Sequence, residues 1–133
     1  MTKELNNLLK NFLKYKLHTL DKSKVKKEFN VLSLENNLLN SNSIDEIQEA
    51  CRAIARGGLK QLTTISNALI NFFAYIDKEN LTSKDIDTNL LDTYINKYCI
   101  DELSIGTRTN YKNNITAFFN YIDENYNHDT KYN

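Results

Sequence analysis

Apolar residues recur along most of this chain at intervals of three and four, the spacing that turns one side of an α-helix towards a core. Two segments 46 residues apart have nearly the same sequence, NFFAYID at 71–77 and AFFNYID at 117–123. Each ends a longer stretch that opens in small and polar residues. The repeat predicts two similar helices whose core faces carry Leu59, Leu62, Ile65, Leu69, Phe72, Phe73 and Ile76 in the first, and Ile105, Tyr111, Ile115, Phe118, Phe119 and Ile122 in the second.

The same spacing predicts four further helices. A first covers about 3–19, and Val25, Phe29, Leu32 and Leu39 indicate a second. Ser43 and Glu46 have the spacing of a capping box, so a third begins there and ends at Gly57. The repeat helices cover about 59–78 and, from a Ser104 cap, about 104–124, with a short fifth helix at 90–98 between them. We expect the tail from 125 to 133 to fray.

Composition favours an all-α fold. The chain has 133 residues, no proline and three glycines, which suits long helices joined by short polar loops. We therefore predict one compact bundle of five to six helices, with Phe72, Phe73, Phe118 and Phe119 meeting in its core.

Charge and reactive residues exclude several classes of function. Net charge is zero, but residues 1–60 hold eleven Lys and Arg against seven Asp and Glu, with a lysine cluster from Lys10 to Lys27. Cys51 and Cys99 lie on apolar faces and read as core residues in a reducing compartment. With no signal peptide or apolar run long enough to span a bilayer, we expect a soluble, cytoplasmic protein without membrane contact. No catalytic, metal-binding or phosphate-loop motif occurs, so we expect no cofactor and no metal.

The polar first halves of the two repeat helices carry the candidate chemistry. Helix N-termini accept phosphate oxygens, Arg and Lys can read guanine, and Thr and Tyr hydroxyls more often hold phosphate. The side chains of suitable reach for hydrogen bonding to DNA are Lys60, Gln61, Thr63 and Thr64 on the first helix and Thr107, Arg108, Asn110, Tyr111 and Lys112 on the second. The alternative is that these are solvated faces of a helical protein-interaction module that does not touch DNA.

The segment 103–112 (LSIGTRTNYK), followed by AFFNYI at 117–122, resembles the last core-binding helix of tyrosine recombinases. Gly57–Leu59 through Tyr75–Ile76, and FLKYK at 12–16, look like the single-recombinase XerH type of the Xer family. The resemblance covers about residues 8–126. Integrases of phages and mobile elements share its Thr and Phe-Phe-x-Tyr pattern, so that kind of recombinase stays open as an alternative.

The resemblance implies a SAM-like helical domain that clamps one face of duplex DNA, with two helices in the major groove. Carried over by position, the DNA contacts that it implies are Lys60, Thr63, Thr64, Thr107, Arg108, Tyr111 and Lys112, with Lys14 and Lys16 as weaker candidates. It implies that 1–126 form this core-binding domain and that 127–133 begin a linker to a catalytic domain outside this chain. The intact protein would act at dif-like sites in a synaptic tetramer of protomers, resolving chromosome dimers with a DNA translocase. None of Tyr15, Tyr75, Tyr94, Tyr98, Tyr111 and Tyr121 would be the nucleophile.

Overall fold

The computed structural model describes residues 3–125, and this part of the chain is helical with no β-strand. Its α-helices are α1 (Lys3–Thr19), α2 (Val31–Leu39), α3 (Ile44–Arg56), α4 (Gln61–Lys78), α5 (Thr88–Thr93) and α6 (Ile105–Asn125). A 3₁₀ turn, Ser83–Asp85, precedes α5, and a π-helical segment, Tyr94–Tyr98, continues it. The predicted all-α bundle of five to six helices is confirmed. The predicted linker start at 127–133 lies outside the described residues.

Side-chain caps set where several helices begin. The Ser43 hydroxyl accepts the N–H of Glu46 at 3.1 Å, as predicted, and Gly57 ends α3. In a capping box the Glu46 carboxylate would accept the N–H of Ser43, but here it accepts the N–H of the preceding residue, Asn42, at 2.6 Å. Ser104 caps α6 as expected, since its hydroxyl accepts the N–H of Thr107 at 3.2 Å. These polar residues stop each helix from extending backwards into the preceding loop.

The second helix was predicted too long. Val25 and Phe29 lie in turns before α2, which begins only at Val31, where the Asn30 side chain accepts the N–H of Ser33 at 3.1 Å. Leu32 is 65% exposed, so it does not contribute to the core as its spacing suggested. A tertiary contact overrides the apolar spacing here, because the N–H of Lys26 donates to the carbonyl of Gly57 at 2.9 Å and holds the α1–α2 loop against the end of α3.

An aromatic core joins α1, α4 and α6. Phe12, Phe72, Phe73, Phe118 and Phe119 are all fully buried, as the sequence predicted for the last four. Ring centroids lie 5.4 Å apart for Phe73 and Phe118, 6.1 Å for Phe72 and Phe119, and 5.4 Å for Phe12 and Phe118. The remaining layer is built by α3, which packs between α2 and α4. Both cysteines are buried, and burial raises the pKa of the Cys51 thiol to about 12.

The internal repeat holds only over the second half of each copy. Leu69, Phe72, Phe73 and Ile76 of α4 and Ile115, Phe118, Phe119 and Ile122 of α6 are all buried. Leu62 in the first turn of α4 and Leu59 just before the helix are buried as well. The predicted core position at the start of α6 was wrong, because Ile105 is 76% exposed. The first half of α6 is therefore less buried than the matching part of α4, although Tyr111 is half-buried and packs against the core.

Two glycines should respond oppositely to alanine. Gly58 has φ +115°, and a Cβ there would lie 2.3 Å from the carbonyl oxygen of Lys24, whereas a Cβ at Gly106 would meet nothing within 4 Å. We expect Gly58→Ala to lower the free energy of unfolding by about 1–3 kcal/mol. Gly106→Ala should raise it by about 0.5–1 kcal/mol, since alanine is the better helix former. Urea denaturation measures both changes, and shifts of the same sign would contradict this account.

Candidate nucleic-acid interface

The first half of α6 is a polar ledge, which we define as residues 105–114. None of these ten residues is buried, although all are helical. Four of the predicted DNA contacts lie here: Thr107, Arg108, Tyr111 and Lys112. An α-helix with its side chains is about 10–12 Å in diameter, which matches the width of about 12 Å of the major groove of B-DNA.

Arg108 lies half-buried at the base of the ledge, next to the end of the π-helical segment. Its Nε is enclosed and makes no hydrogen bond to any described residue. Burial raises the pKa of the nearby Cys99 thiol, and the hydrogen bond with Tyr94 and the charge of Arg108 oppose that increase. Because the aliphatic part of the Arg108 side chain is packed, it has few conformations to lose when a partner binds, so the entropy cost of binding is lower.

Lys112 is the more exposed of the two cationic side chains of the ledge, and its acidic neighbour is easily replaced. Its ammonium lies 4.0 Å from the carboxylate of Asp92, and both side chains are about half exposed. Exposed pairs of this kind contribute about 0–1 kcal/mol, so a phosphate can replace Asp92 at little cost. The sequence did not indicate Asp92 as a neighbour, because twenty residues separate it from Lys112.

Hydroxyl groups of the ledge already have partners inside the domain. The Tyr111 hydroxyl accepts a hydrogen bond from the Asn71 amide at 2.8 Å, and Thr107 Oγ1 accepts one from Ser104 Oγ at 3.0 Å. Thr109 Oγ1 donates to the carbonyl of Ile105 at 3.0 Å. A hydroxyl oxygen can take part in more than one hydrogen bond, so these contacts fix its position without using all its capacity.

The start of α4 presents a second polar surface. Lys60 and Thr64 are exposed and Thr63 is half-buried, with Leu59 and Leu62 beneath them in the core. Lys60 occupies the cap position of α4 without a side-chain cap, so the first backbone N–H groups are not covered by a capping side chain. The candidate residues of α4 therefore stand on a well-anchored first turn.

The two candidate surfaces have different neighbours. The ledge lies beside the second half of α4, because Tyr111 and Leu103 border the same groove as Tyr75 and Lys78. Lys60 instead borders the α1–α2 loop, with Lys24 and Lys26. Lys24 and Lys26 belong to the lysine cluster that the sequence showed, but they were not among the candidate DNA contacts. The adjacent glycines, Gly57 and Gly58, were the signal for that close approach.

The N-terminal lysines divide into several roles. Lys14 and Lys16 are half-buried on α1, and the Lys16 ammonium lies 5.7 Å from the ring centre of Phe12. Lys10 is buried and donates to the carbonyls of Leu39 at 2.9 Å and Ser41 at 2.8 Å, which ties α1 to the end of α2. The cluster is therefore not one continuous charged face.

Tyrosines near the ledge form an aromatic group rather than a reactive site. The rings of Tyr94 and Tyr98 stack with centroids 5.6 Å apart, and Tyr75 lies 4.9 Å from Tyr94 and 4.8 Å from Tyr98. Burial raises the pKa values of Tyr75 and Tyr94 above the usual range for a phenol. Neither environment activates a phenolate nucleophile.

Over residues 3–125 no three His, Cys, Asp or Glu side chains converge in a way that could hold a metal ion. No helix within this range is both long and apolar enough to cross a membrane.

Comparison with protein families defines the class of this domain. The family model described as the phage integrase SAM-like domain matches residues 1–126. The chain belongs to this family, and it has the helical core-binding fold of tyrosine recombinases.

Within this family, one curated relative and two solved structures show similarity to XerH recombinases. Tyrosine recombinase XerH of Helicobacter pylori is 29% identical to this chain, over 85% of the chain and 33% of the relative. A crystal structure of XerH site-specific recombinase bound to difH substrate, a pre-cleavage complex, has a TM-score of 0.84 at 27% identity, covering 97% of this chain and 39% of that one. A post-cleavage complex with palindromic difH substrate has a TM-score of 0.87 at 28% identity, covering 97% and 37%. The chain thus spans about a third of the length of its curated relative.

Proposed function

We propose that this domain binds duplex DNA as the core-binding part of a Xer-type tyrosine recombinase. The observation that carries the proposal is the ledge at 105–114, which has no buried residue yet extends from a helix anchored by Phe118 and Phe119. A rigid helix whose free half bears Thr, Arg, Asn and Lys side chains suits a DNA groove.

Different contacts on the two surfaces would have different roles. Arg108 and Lys112 on the ledge and Lys60 on α4 supply the positive charge, and Arg108 has the guanidinium fork that pairs with guanine. Thr63, Thr64, Thr107 and Tyr111 would hold phosphates or fix the positions of their neighbours. Lys14 and Lys16 are secondary candidates, because the Lys16 ammonium faces aromatic rings of its own helix.

Similarity to XerH supports a more specific proposal for the intact protein. Both solved relatives are complexes with a difH substrate, so the preferred ligand here would be a dif-like duplex. The protein would work in the cytoplasm as a synaptic tetramer of protomers, with a DNA translocase, to resolve chromosome dimers. An integrase of a phage or mobile element is the second candidate, since the matching family is that of phage integrases. Preference for a dif-like duplex over a shuffled one separates the two.

Binding should be weak and strongly dependent on salt. Non-specific contacts of a few lysines and arginines typically give dissociation constants of about 10⁻⁴–10⁻⁶ M. If both side chains contact phosphate, the double variant Arg108→Ala, Lys60→Ala should flatten the slope of log affinity against log salt by about two units. Fluorescence anisotropy of a labelled duplex at several salt concentrations measures the slope.

A control pair removes the same charge elsewhere. Lys3 and Lys84 are exposed, and Ser83 beside Lys84 bonds to Glu4 at 3.1 Å, so both lysines lie near the start of α1. Lys3→Ala, Lys84→Ala should leave the slope close to that of the unchanged protein. An unchanged slope in the Arg108 and Lys60 variant, or equal changes in both variants, would favour a protein-interaction module.

The 133 residues alone should not cleave DNA. Strand cleavage by this family requires Arg and His groups that stabilise the transferring phosphate, and the chain has only His18 and His128, with no His-x-x-Arg motif. We expect no covalent product when the protein is incubated with a dif-like duplex and resolved on a denaturing gel. A phosphotyrosyl–DNA adduct would contradict this expectation.

A further inference from the structure

A groove of about 460 Å³ lies between the α1–α2 loop and the first turn of α4. It is lined by Asp21, Lys24, Lys26, Gly58, Lys60 and Gln61. We call it the loop groove. Three lysines and one aspartate line it, in a chain whose net charge is zero, so positive charge is concentrated here.

Two adjacent glycines create this groove by letting the loop dock closely. A Cβ at Gly58 would lie 2.3 Å from the carbonyl oxygen of Lys24, and one at Gly57 would lie 2.8 Å from Cδ1 of Phe29. The Lys26 N–H also donates to the carbonyl of Gly57. The loop is therefore held against the α3–α4 junction, which brings Lys24 and Lys26 to the groove that Lys60 borders.

The positive charge of the loop groove is only partly neutralised within the described part of the chain. Asp21 accepts hydrogen bonds from the N–H of Ser23 at 2.9 Å and its hydroxyl at 3.0 Å, and the backbone bond is the main reason that the pKa of this carboxyl is lowered. Asp21 therefore stays ionised and offsets one of the three lysine charges, which leaves the groove with net positive charge. Over residues 3–125, Lys24, Lys26 and Lys60 form no ion pair and their ammonium groups make no hydrogen bond; the Lys26 ammonium lies 5.9 Å from the ring centre of Phe29. Lys22 differs, because it donates to the carbonyls of Leu17 and Leu20, both at 3.0 Å.

We propose that the loop groove is a further DNA-contacting element, in which Lys24 and Lys26 join Lys60 in binding phosphates of the duplex backbone. This inference rests on the proposed function and adds a contact region outside the two repeat helices. Ammonium groups bind phosphate as point charges, so the groove would position the domain on DNA without reading sequence. The docked loop reduces the ordering needed on binding, because its backbone is already fixed.

The double variant Lys24→Gln, Lys26→Gln tests the inference. Both side chains are exposed, so the fold should remain intact, as circular dichroism and thermal melting can verify. Loss of two phosphate contacts should flatten the slope of log affinity against log salt by about two units on any duplex sequence. The effect should be the same on a dif-like duplex and on a shuffled one.

A charge-matched control is Lys3→Gln, Lys84→Gln. These lysines lie near the start of α1, and the loop follows its end, about 25 Å away along a helix of 17 residues. The control should leave the slope nearly unchanged. Equal slopes for the two double variants, or an unchanged slope for Lys24→Gln, Lys26→Gln, would overturn the proposal that the loop groove contacts DNA.

The outcomes distinguish this inference from the proposed function. If the unchanged protein binds duplex DNA and only the Arg108 and Lys60 variant loses salt dependence, the proposed function stands and the loop assignment is wrong. If the unchanged protein shows no salt-dependent binding to any duplex, both are wrong.

Discussion

The contact of Phe118 and Phe119 with Phe72, Phe73 and Phe12 is the interaction on which the rest of the structure depends. These five buried rings tie the second half of α6 to α1 and α4. Truncation of a buried Phe typically costs about 3–5 kcal/mol, so this cluster dominates the position of α6. With one half fixed so firmly, the other half can present a polar face at the surface of the bundle without losing its direction.

This division between anchor and ledge would let a domain of zero net charge bind a polyanion, as we propose. The ledge carries Arg108 and Lys112 with no acidic residue of its own, and the loop groove carries three lysines with one aspartate, Asp21. Asp92 offsets Lys112 only weakly across 4.0 Å. Local charge governs the encounter with DNA within a Debye length of about 8–10 Å, where total charge matters little.

The sequence predicted features that depend on local pattern and missed those that depend on tertiary contact. The Ser43 and Ser104 caps and the four repeat phenylalanines are local signals, and all were confirmed. Ile105 was assigned to the core because it occupies the position in the second repeat that Leu59 occupies in the first, but in the structure its side chain is exposed. The extent of α2 was wrong because docking of the loop on Gly57 and Gly58 overrode the apolar spacing. Which lysines face outward also depended on tertiary structure, as buried Lys10 demonstrates.

The most direct test of the account maps the DNA-binding surface residue by residue. Backbone amide shifts of isotope-labelled protein would be recorded by NMR during titration with a short duplex. The account predicts saturable shifts concentrated in the ledge at 105–114, at the start of α4 and in the loop groove. Shifts at Tyr75 and Lys78 with none in the ledge, at the start of α4 or in the loop groove, or no saturable shifts at any duplex concentration, would contradict it.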